Sequence, residues 1–204
     1  MMIKICGVTL PDDAARIAAA GADYIGLNFW PRSKRYLQPE RAPVVVAAAR
    51  GTGSAKLVGV FVDAGRDEII ALAGSLDVIQ LHGTETPAEV IAIATATNRP
   101  VWKAISAAGP LELASWDVDA ILLDTPTPER GGSGQTFDWA IARDARMAHP
   151  ARRIVLAGGL RPENVAAAIA EVKPWGVDVA SGVEAAPGIK DPAKLAAFFA
   201  AIRG

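Results

Sequence analysis

Lys4-Ile5-Cys6-Gly7-Val8-Thr9 is the stretch from which the fold can be worked out. It places the only cysteine of the chain, Cys6, at the end of a short apolar run and directly before a glycine. A thiol in that position lies at the mouth of a structure and not in its middle. Seven other short apolar runs follow at roughly even spacing, and several of them also end in Gly, Asp, His or Ser. The chain therefore repeats one local pattern.

These runs predict eight strands, each followed by a segment with helical features. The predicted strands are Ile3 to Cys6, Tyr24 to Phe29, Lys56 to Val62, Val78 to Gly83, Val101 to Ile105, Ala120 to Asp124, Arg153 to Gly159 and Gly176 to Gly182. The predicted helices are Pro11 up to Gly21, Pro39 to Arg50, Asp67 to Ala73, Pro87 to Ala96, Pro110 to Ser115, Phe137 to Met147, Pro162 to Val172 and Pro192 to Ile202.

Strands and helices that alternate in units of about 25 residues predict an α/β fold with a parallel sheet. The strands are nearly continuous apolar runs, as expected when both faces of a sheet are covered. A count of eight without a linker favours closure into a (β/α)8 TIM barrel, as a single domain over residues 1–204. An open doubly wound sheet is the alternative. In a barrel, chemistry is expected in the loops that follow the strands.

The overall charge argues against a general nucleic-acid or membrane-surface binder. Lys plus Arg is 21 and Asp plus Glu is 22, so the formal net charge is −1 and long-range attraction to a polyanion is missing. No apolar run approaches the roughly 18 residues that span a bilayer, and the first residues lack the features of a signal peptide. A lone cysteine cannot form an internal disulfide. We therefore expect a cytoplasmic protein.

Cys6 and Asp124 are the candidate catalytic residues. Each ends a predicted strand, although Cys6 could be a small buried hydrophobe and Asp124 a turn former. Across a barrel mouth, the two groups make a plausible acid and base couple, provided that the thiol pKa is lowered. The sequence does not show what would lower it. Two proton-transfer groups without a second nucleophile favour isomerisation over hydrolysis.

Three glycine clusters follow the last three predicted strands and predict a phosphate site. Backbone N–H groups in such loops commonly hold phosphate in these barrels. None of the clusters matches the dinucleotide or nucleotide fingerprints, so we predict no cofactor. The residues assigned to this site are Gly132, Ser133, Gly134, Gly158, Gly159, Ser181 and Gly182.

Arg35 and His82 are the remaining candidate substrate-binding residues. Arg35, in the loop after strand two, could clamp a substrate carboxylate or be a solvated cation. His82 ends strand four and could line the pocket. The two histidines, His82 and His149, are not spaced with acidic partners for a metal, so we predict no metal site.

Together these motifs resemble the phosphoribosylanthranilate isomerase family, and the resemblance covers nearly the whole chain. The matching stretches are Lys4-Ile5-Cys6-Gly7, Pro31-Arg32-Ser33-Lys34-Arg35-Tyr36, Gly59-Val60-Phe61-Val62, Gln80-Leu81-His82-Gly83, Leu122-Leu123-Asp124-Thr125, the run from Gly131 to Trp139, Ala157-Gly158-Gly159-Leu160 and the run from Asp178 to Glu184. Asn28 departs from the family pattern, which more often has an apolar residue there.

The resemblance implies a TIM barrel that performs a cofactor-free Amadori rearrangement of N-(5-phosphoribosyl)anthranilate in tryptophan biosynthesis. In this family's terms Asp124 is the general acid at the furanose ring oxygen and Cys6 is the base at C2. Arg35 holds the anthranilate carboxylate, and the late glycine loops hold the phosphate. We expect a phosphosugar ligand and a monomer, with a homodimer as the alternative.

Two other functions remain open at this point. Another phosphosugar barrel enzyme could share the phosphate site. A metal-dependent epimerase would need more His and Asp at strand ends. A synthase would be expected to use Lys and Glu there, whereas the lysines of the predicted strands are Lys4, Lys56 and Lys103, and none of them ends a strand. The second alternative is a binding module that retains the barrel without turnover.

Overall fold

Eight parallel strands form a closed barrel in this computed structural model, which describes residues 1–108, 111–125 and 138–204. The strands are β1 Met2–Cys6, β2 Tyr24–Asn28, β3 Lys56–Phe61, β4 Val78–Leu81, β5 Val101–Ser106, β6 Ala120–Asp124, β7 Ile154–Leu156 and β8 Gly176–Val179. Each strand pairs with the next, and β8 pairs with β1. The predicted (β/α)8 architecture is confirmed, and the open-sheet alternative is wrong.

Seven α-helices connect the strands in the described part of the chain. They are α1 Pro11–Ala19, α2 Ala42–Arg50, α3 Arg66–Ala73, α4 Pro87–Thr97, α5 Trp139–Ala148, α6 Val165–Val172 and α7 Pro192–Arg203. A short 3-10 turn, Pro39–Arg41, precedes α2. No helix within the described residues is both long and apolar enough to cross a bilayer.

The helix predicted from Pro110 to Ser115 is wrong for the part that the structure describes, because residues 111–115 contain no helix. Leu113 is fully buried in the core, and the Glu112 carboxylate accepts the backbone N–H of Ala114 at 2.8 Å. A side chain that satisfies a nearby backbone donor competes with helix formation. So short a segment also cannot offset the cost of starting a helix.

A small hairpin follows β8 and was not predicted. The predicted eighth strand is too long, since β8 ends at Val179 and residues Ser181–Val183 form a 3-10 turn. Strands β9 Glu184–Ala186 and β10 Ile189–Lys190 then pair antiparallel. The hairpin brings the charged side chains of Glu184 and Lys190 to the mouth of the barrel.

Alternate residues of each strand face either the helices or the barrel interior, as the two-residue repeat of a strand requires. Residues such as Ile3, Ile25 and Ile79 belong to the large core between the sheet and the helices. The lower interior is filled by an apolar cluster that consists of Met2, Val58, Val78, Trp102, Ala104, Ala120, Leu122, Val155 and Ala157. Polar side chains occupy the upper interior, which is where the predicted chemistry lies.

Three aspartates secure the opposite end of the barrel. Asp23, Asp77 and Asp119 each precede an even-numbered strand, and each carboxylate accepts a backbone N–H at the start of the preceding strand, at 2.8, 2.8 and 3.0 Å. These bonds satisfy donors at strand starts and fix neighbouring strands to each other. They belong to the stabilising face of a barrel and not to its catalytic face.

Candidate active site

A cavity of about 370 Å³ opens at the carboxyl ends of the strands. Six of the predicted site residues line it: Cys6, Arg35, His82, Asp124, Gly159 and Ser181. Gly158 and Gly182 lie beside the cavity without lining it, and Gly132, Ser133 and Gly134 fall outside the described residues. These residues from different strands lie together because the parallel strands of a closed barrel all end on one face.

Cys6 ends β1 with its side chain in the barrel interior, at the floor of the cavity. Burial raises the pKa of the Cys6 thiol, while the positive charges of Lys4 and Lys190 oppose that rise. In the neighbouring strand, Gly26 pairs with Cys6. A Cβ at Gly26 would lie 2.7 Å from the Cys6 Sγ, so glycine is what leaves room for the thiol.

We therefore expect Gly26→Ala to lower turnover by roughly ten- to hundredfold, because an added methyl group displaces the thiol from its working position. Steady-state kcat measures the effect. Gly74→Ala is the matched control, since a Cβ there meets nothing within 4 Å. A Gly26→Ala protein as fast as Gly74→Ala would mean that the thiol position is not critical.

Asp124 ends β6 and contacts His82, the residue that follows β4. The Asp124 Oδ1 accepts the backbone N–H of Thr125 at 2.8 Å, and Oδ2 lies 3.3 Å from His82 Nε2. On the far side of the ring, the Gln80 amide nitrogen lies 3.2 Å from His82 Nδ1. His82 therefore lies between the Gln80 amide and the Asp124 carboxylate and contacts both. His82, predicted only to line the pocket, thus also orients the carboxylate.

Arg35 lies at the cavity with its guanidinium paired to Glu184. Its Nε and Nη2 contact the two carboxylate oxygens at 2.8 and 2.7 Å, which is the bidentate geometry predicted for a substrate carboxylate. Although burial opposes it, Glu184 raises the pKa of Arg35. Lys190 Nζ also binds Glu184, at 2.9 Å. Nη1 is the nitrogen of Arg35 that this pair leaves for a ligand.

The late glycines have two different structural roles. Gly158 and Gly159 both have positive φ, which favours glycine, and Gly159 lines the cavity. A Cβ at Gly158 would lie 2.8 Å from the Asp124 Oδ1, so Gly158 lets the chain pass close to that carboxylate. Gly182 packs against the Leu160 carbonyl, and Ser181 faces the cavity.

Sequence reasoning did not assign several charged or polar residues to this site, among them Lys4, Gln80, Asp178, Glu184 and Lys190. Lys4 and Gln80 each precede a predicted strand-end residue by two positions, so the strand repeat places them on the same inward face. This two-residue spacing could have predicted that Lys4 and Gln80 face the barrel interior. Asn28, noted as unusual, lines the cavity, and its Oδ1 accepts the Trp30 backbone N–H at 2.9 Å.

Comparison with known proteins decides the family. The family model for N-(5'-phosphoribosyl)anthranilate (PRA) isomerase matches residues 3–201. The chain belongs to this family. A curated N-(5'-phosphoribosyl)anthranilate isomerase from Solibacter usitatus is 44% identical over 209 residues, which covers 100% of this chain and 98% of the relative. The family resemblance inferred from the motifs is therefore confirmed.

Solved isomerases of the family share the same architecture. Phosphoribosyl anthranilate isomerase from Thermus thermophilus superposes with a TM-score of 0.88 at 38% identity, covering 100% of this chain and 98% of the other. A second structure, of the isomerase in complex with reduced 1-(o-carboxyphenylamino)-1-deoxyribulose 5-phosphate, gives a TM-score of 0.84 at 36% identity, with coverage of 100% and 99%.

Proposed function

We propose that the chain catalyses the Amadori rearrangement of N-(5'-phosphoribosyl)anthranilate to 1-(2-carboxyphenylamino)-1-deoxyribulose 5-phosphate, a step of tryptophan biosynthesis. One observation carries the proposal: a thiol and a carboxylate, Cys6 and Asp124, line the same cavity from different strands of the barrel. The complex of a related isomerase with the reduced form of that compound supports the choice of substrate.

In the first step, Asp124 acts as general acid. It donates a proton to the furanose ring oxygen while the bond from C1 to that oxygen breaks, and the anthranilate nitrogen supplies its electron pair to form an iminium at C1. His82 Nε2, 3.3 Å from Asp124 Oδ2, holds the carboxyl group toward the cavity. The bond from the Thr125 N–H fixes the other oxygen. A general acid held in place contributes about 10²- to 10⁴-fold to such a step.

In the second step, Cys6 acts as general base and removes the proton from C2. The electron pair of the broken C–H bond forms the C1–C2 double bond, and the iminium nitrogen becomes neutral. The resulting enolamine gains a proton at C1 and loses one from the C2 hydroxyl, which yields the ketone. Only the thiolate form of Cys6 can accept a proton, so its ionisation controls this step.

Binding is assigned to groups at the rim of the cavity. Arg35, through Nη1, holds the anthranilate carboxylate, and the backbone at Gly159 and Ser181 holds the phosphate. The sequence assigns Gly132, Ser133 and Gly134 to the same phosphate site, and they lie outside the described residues. Gly158 and Gly182 shape the chain around this site. Backbone N–H groups and a guanidinium are the usual partners of phosphate and carboxylate.

We expect Arg35→Ala to raise KM about tenfold or more with a smaller change in kcat, because the lost contact is made equally to substrate and transition state. Steady-state kinetics measure both constants. Glu184 keeps Lys190 and the Gly188 N–H as partners, so the fold should persist. Arg50→Ala, which removes an exposed arginine, is the control. An unchanged KM in Arg35→Ala would reduce this arginine to a partner of Glu184.

The direct test of the function is turnover of freshly generated phosphoribosylanthranilate, followed by loss of its anthranilate fluorescence. Rapid loss with the wild-type protein and none with Cys6→Ala is the expected result. A wild-type protein that binds a product analogue but turns nothing over would favour the binding-module alternative.

A monomeric state, a single domain over residues 1–204 and a cytoplasmic location complete the proposal. Cys6, Asp124 and Arg35, to which the chemistry and the carboxylate contact are assigned, all line one cavity within a single barrel. Sedimentation equilibrium measures the state, and a dimer mass at micromolar concentration would contradict a monomer.

A further inference from the structure

Lys4 is a fully buried lysine inside the barrel, two residues before Cys6 on the same face of β1. Its Nζ donates a hydrogen bond to the Asp178 Oδ2 at 2.9 Å, and the two residues are paired in register on β1 and β8. Other inward-facing strand positions carry apolar side chains such as Val58 and Leu122. A buried ion pair is weak evidence for a gain in stability, so its presence here requires another reason.

Asp178 connects this buried ion pair to the cavity. It lines the cavity together with Cys6, and within the described residues its buried Oδ1 has no hydrogen-bond partner. Burial raises the pKa of Asp178, and Lys4 opposes that rise. Burial also acts against the Lys4 ammonium, but the charges and hydrogen bonds of Asp178 and Cys6 raise its pKa. The ammonium is hydrogen-bonded to the Asp178 carboxylate, and Lys4 and Cys6 lie on the same face of β1, which places that positive charge on the side of the strand where the thiol lies.

We propose that Lys4 is the positioning residue that stabilises the thiolate of Cys6, and that Asp178 limits how much of this stabilisation the thiol receives. The inference deepens the proposed function and rests on Cys6 acting as its general base. A thiolate in a buried site needs a nearby positive charge, because burial alone favours the neutral thiol. When Cys6 takes the C2 proton its charge disappears, and Lys4 remains neutralised by Asp178.

The other cations near Cys6 are paired to Glu184 of the hairpin, whereas Lys4 is paired to Asp178, which lines the cavity together with Cys6. From the hairpin, Lys190 Nζ donates to the Cys6 backbone carbonyl at 2.6 Å and to Glu184 at 2.9 Å. Arg35, from the loop after β2, is paired to the same Glu184. Gly26 of β2 contributes no charge, and His82 and Asp124, which line the same cavity, contact each other at 3.3 Å. Lys4 is therefore the cation best placed to act on the thiol itself.

The experiment uses the fact that Cys6 is the only cysteine of the chain. Alkylation of the full-length protein by iodoacetamide then reports on one thiol, and its rate against pH gives the pH at which half of the thiol is ionised. We expect Lys4→Met to move that midpoint upward and to slow alkylation at pH 7 about tenfold for each unit of the move. We expect Asp178→Asn to move it downward, because the carboxylate no longer competes for the ammonium.

Lys103→Met is the matched control. Lys103 is also a buried strand lysine, on β5, and its Nζ is paired to Glu85 at 2.8 Å. We expect the pH midpoint of Cys6 alkylation in Lys103→Met to equal that in the wild-type protein. Circular dichroism identifies any variant that does not fold; should Lys4→Met be one, Lys4→Gln and Asp178→Asn carry the test.

Equal midpoints for the wild-type protein and Lys4→Met, or an upward move in Asp178→Asn, would overturn the inference and leave Lys4 with a structural role. Alkylation requires no substrate, so its outcome is independent of turnover. A wild-type protein without isomerase activity would therefore defeat the proposed function, whereas normal activity with unmoved midpoints would defeat only this inference.

Discussion

Cys6→Ala should lower kcat at least about a hundredfold, which is the lower end of the contribution of a general base. The alanine side chain cannot accept the C2 proton, and within the described residues the cavity offers no second thiol. Fluorescence-monitored turnover measures kcat, and circular dichroism verifies that the variant is folded. The fold should persist, because removal of one sulfur atom at the cavity floor leaves the apolar clusters of the barrel intact.

Cys6→Ser provides the control for side-chain size. A hydroxyl group has nearly the volume of the thiol but is far less acidic, so this variant should be as impaired as Cys6→Ala. Both variants should still bind a product analogue, since the binding groups at Arg35, Gly159 and Ser181 are unchanged. A Cys6→Ser protein with near-normal kcat would remove Cys6 from the proton-transfer step.

Asp124→Asn should also lower kcat at least about a hundredfold, because an amide cannot deliver the proton that opens the furanose ring. The substitution is nearly isosteric, and the amide oxygen can still accept the Thr125 N–H. The loss should therefore appear in kcat with little change in KM or in thermal stability. Steady-state kinetics and thermal melting measure the two effects separately.

Asp119→Asn is a control at the other end of the same strand, at the residue directly before β6. Asp119 precedes β6 at the opposite end of the barrel and accepts the Val101 backbone N–H at 3.0 Å. Its replacement should leave kcat near the wild-type value, because the residue lies at the end of the barrel opposite the cavity and the amide oxygen can still accept the Val101 N–H. If Asp119→Asn and Asp124→Asn lowered kcat equally, the loss would have to be attributed to the barrel as a whole and not to a general acid.

The local pattern of the chain was sufficient to predict the architecture. Eight apolar runs, each followed by a helical segment, specify elements whose hydrogen bonds are local or lie between successive strands. The errors occur where local signals are short or compete. The hairpin of β9 and β10 has strands of three and two residues, and the segment after β5 is bent by a side-chain bond at Glu112. Neither feature has the periodicity on which such predictions depend.

The strand ends were also enough to predict most of the candidate site. A residue that closes a strand of a barrel must lie at its mouth, so Cys6, His82 and Asp124 could be placed without coordinates. The two-residue repeat could have added Lys4 and Gln80 to this set.

By itself, the sequence determined the order of the eight barrel strands, the family and the strand-end residues Cys6, His82 and Asp124 that line the cavity. The tertiary structure decided which charges meet there: Lys4 with Asp178, Arg35 with Glu184, and His82 with Asp124. The first two pairs join residues 174 and 149 positions apart. Such contacts exist only once β8 has closed on β1, and the ionisation of Cys6 depends on them because a thiol pKa is set by burial and by the charges around it.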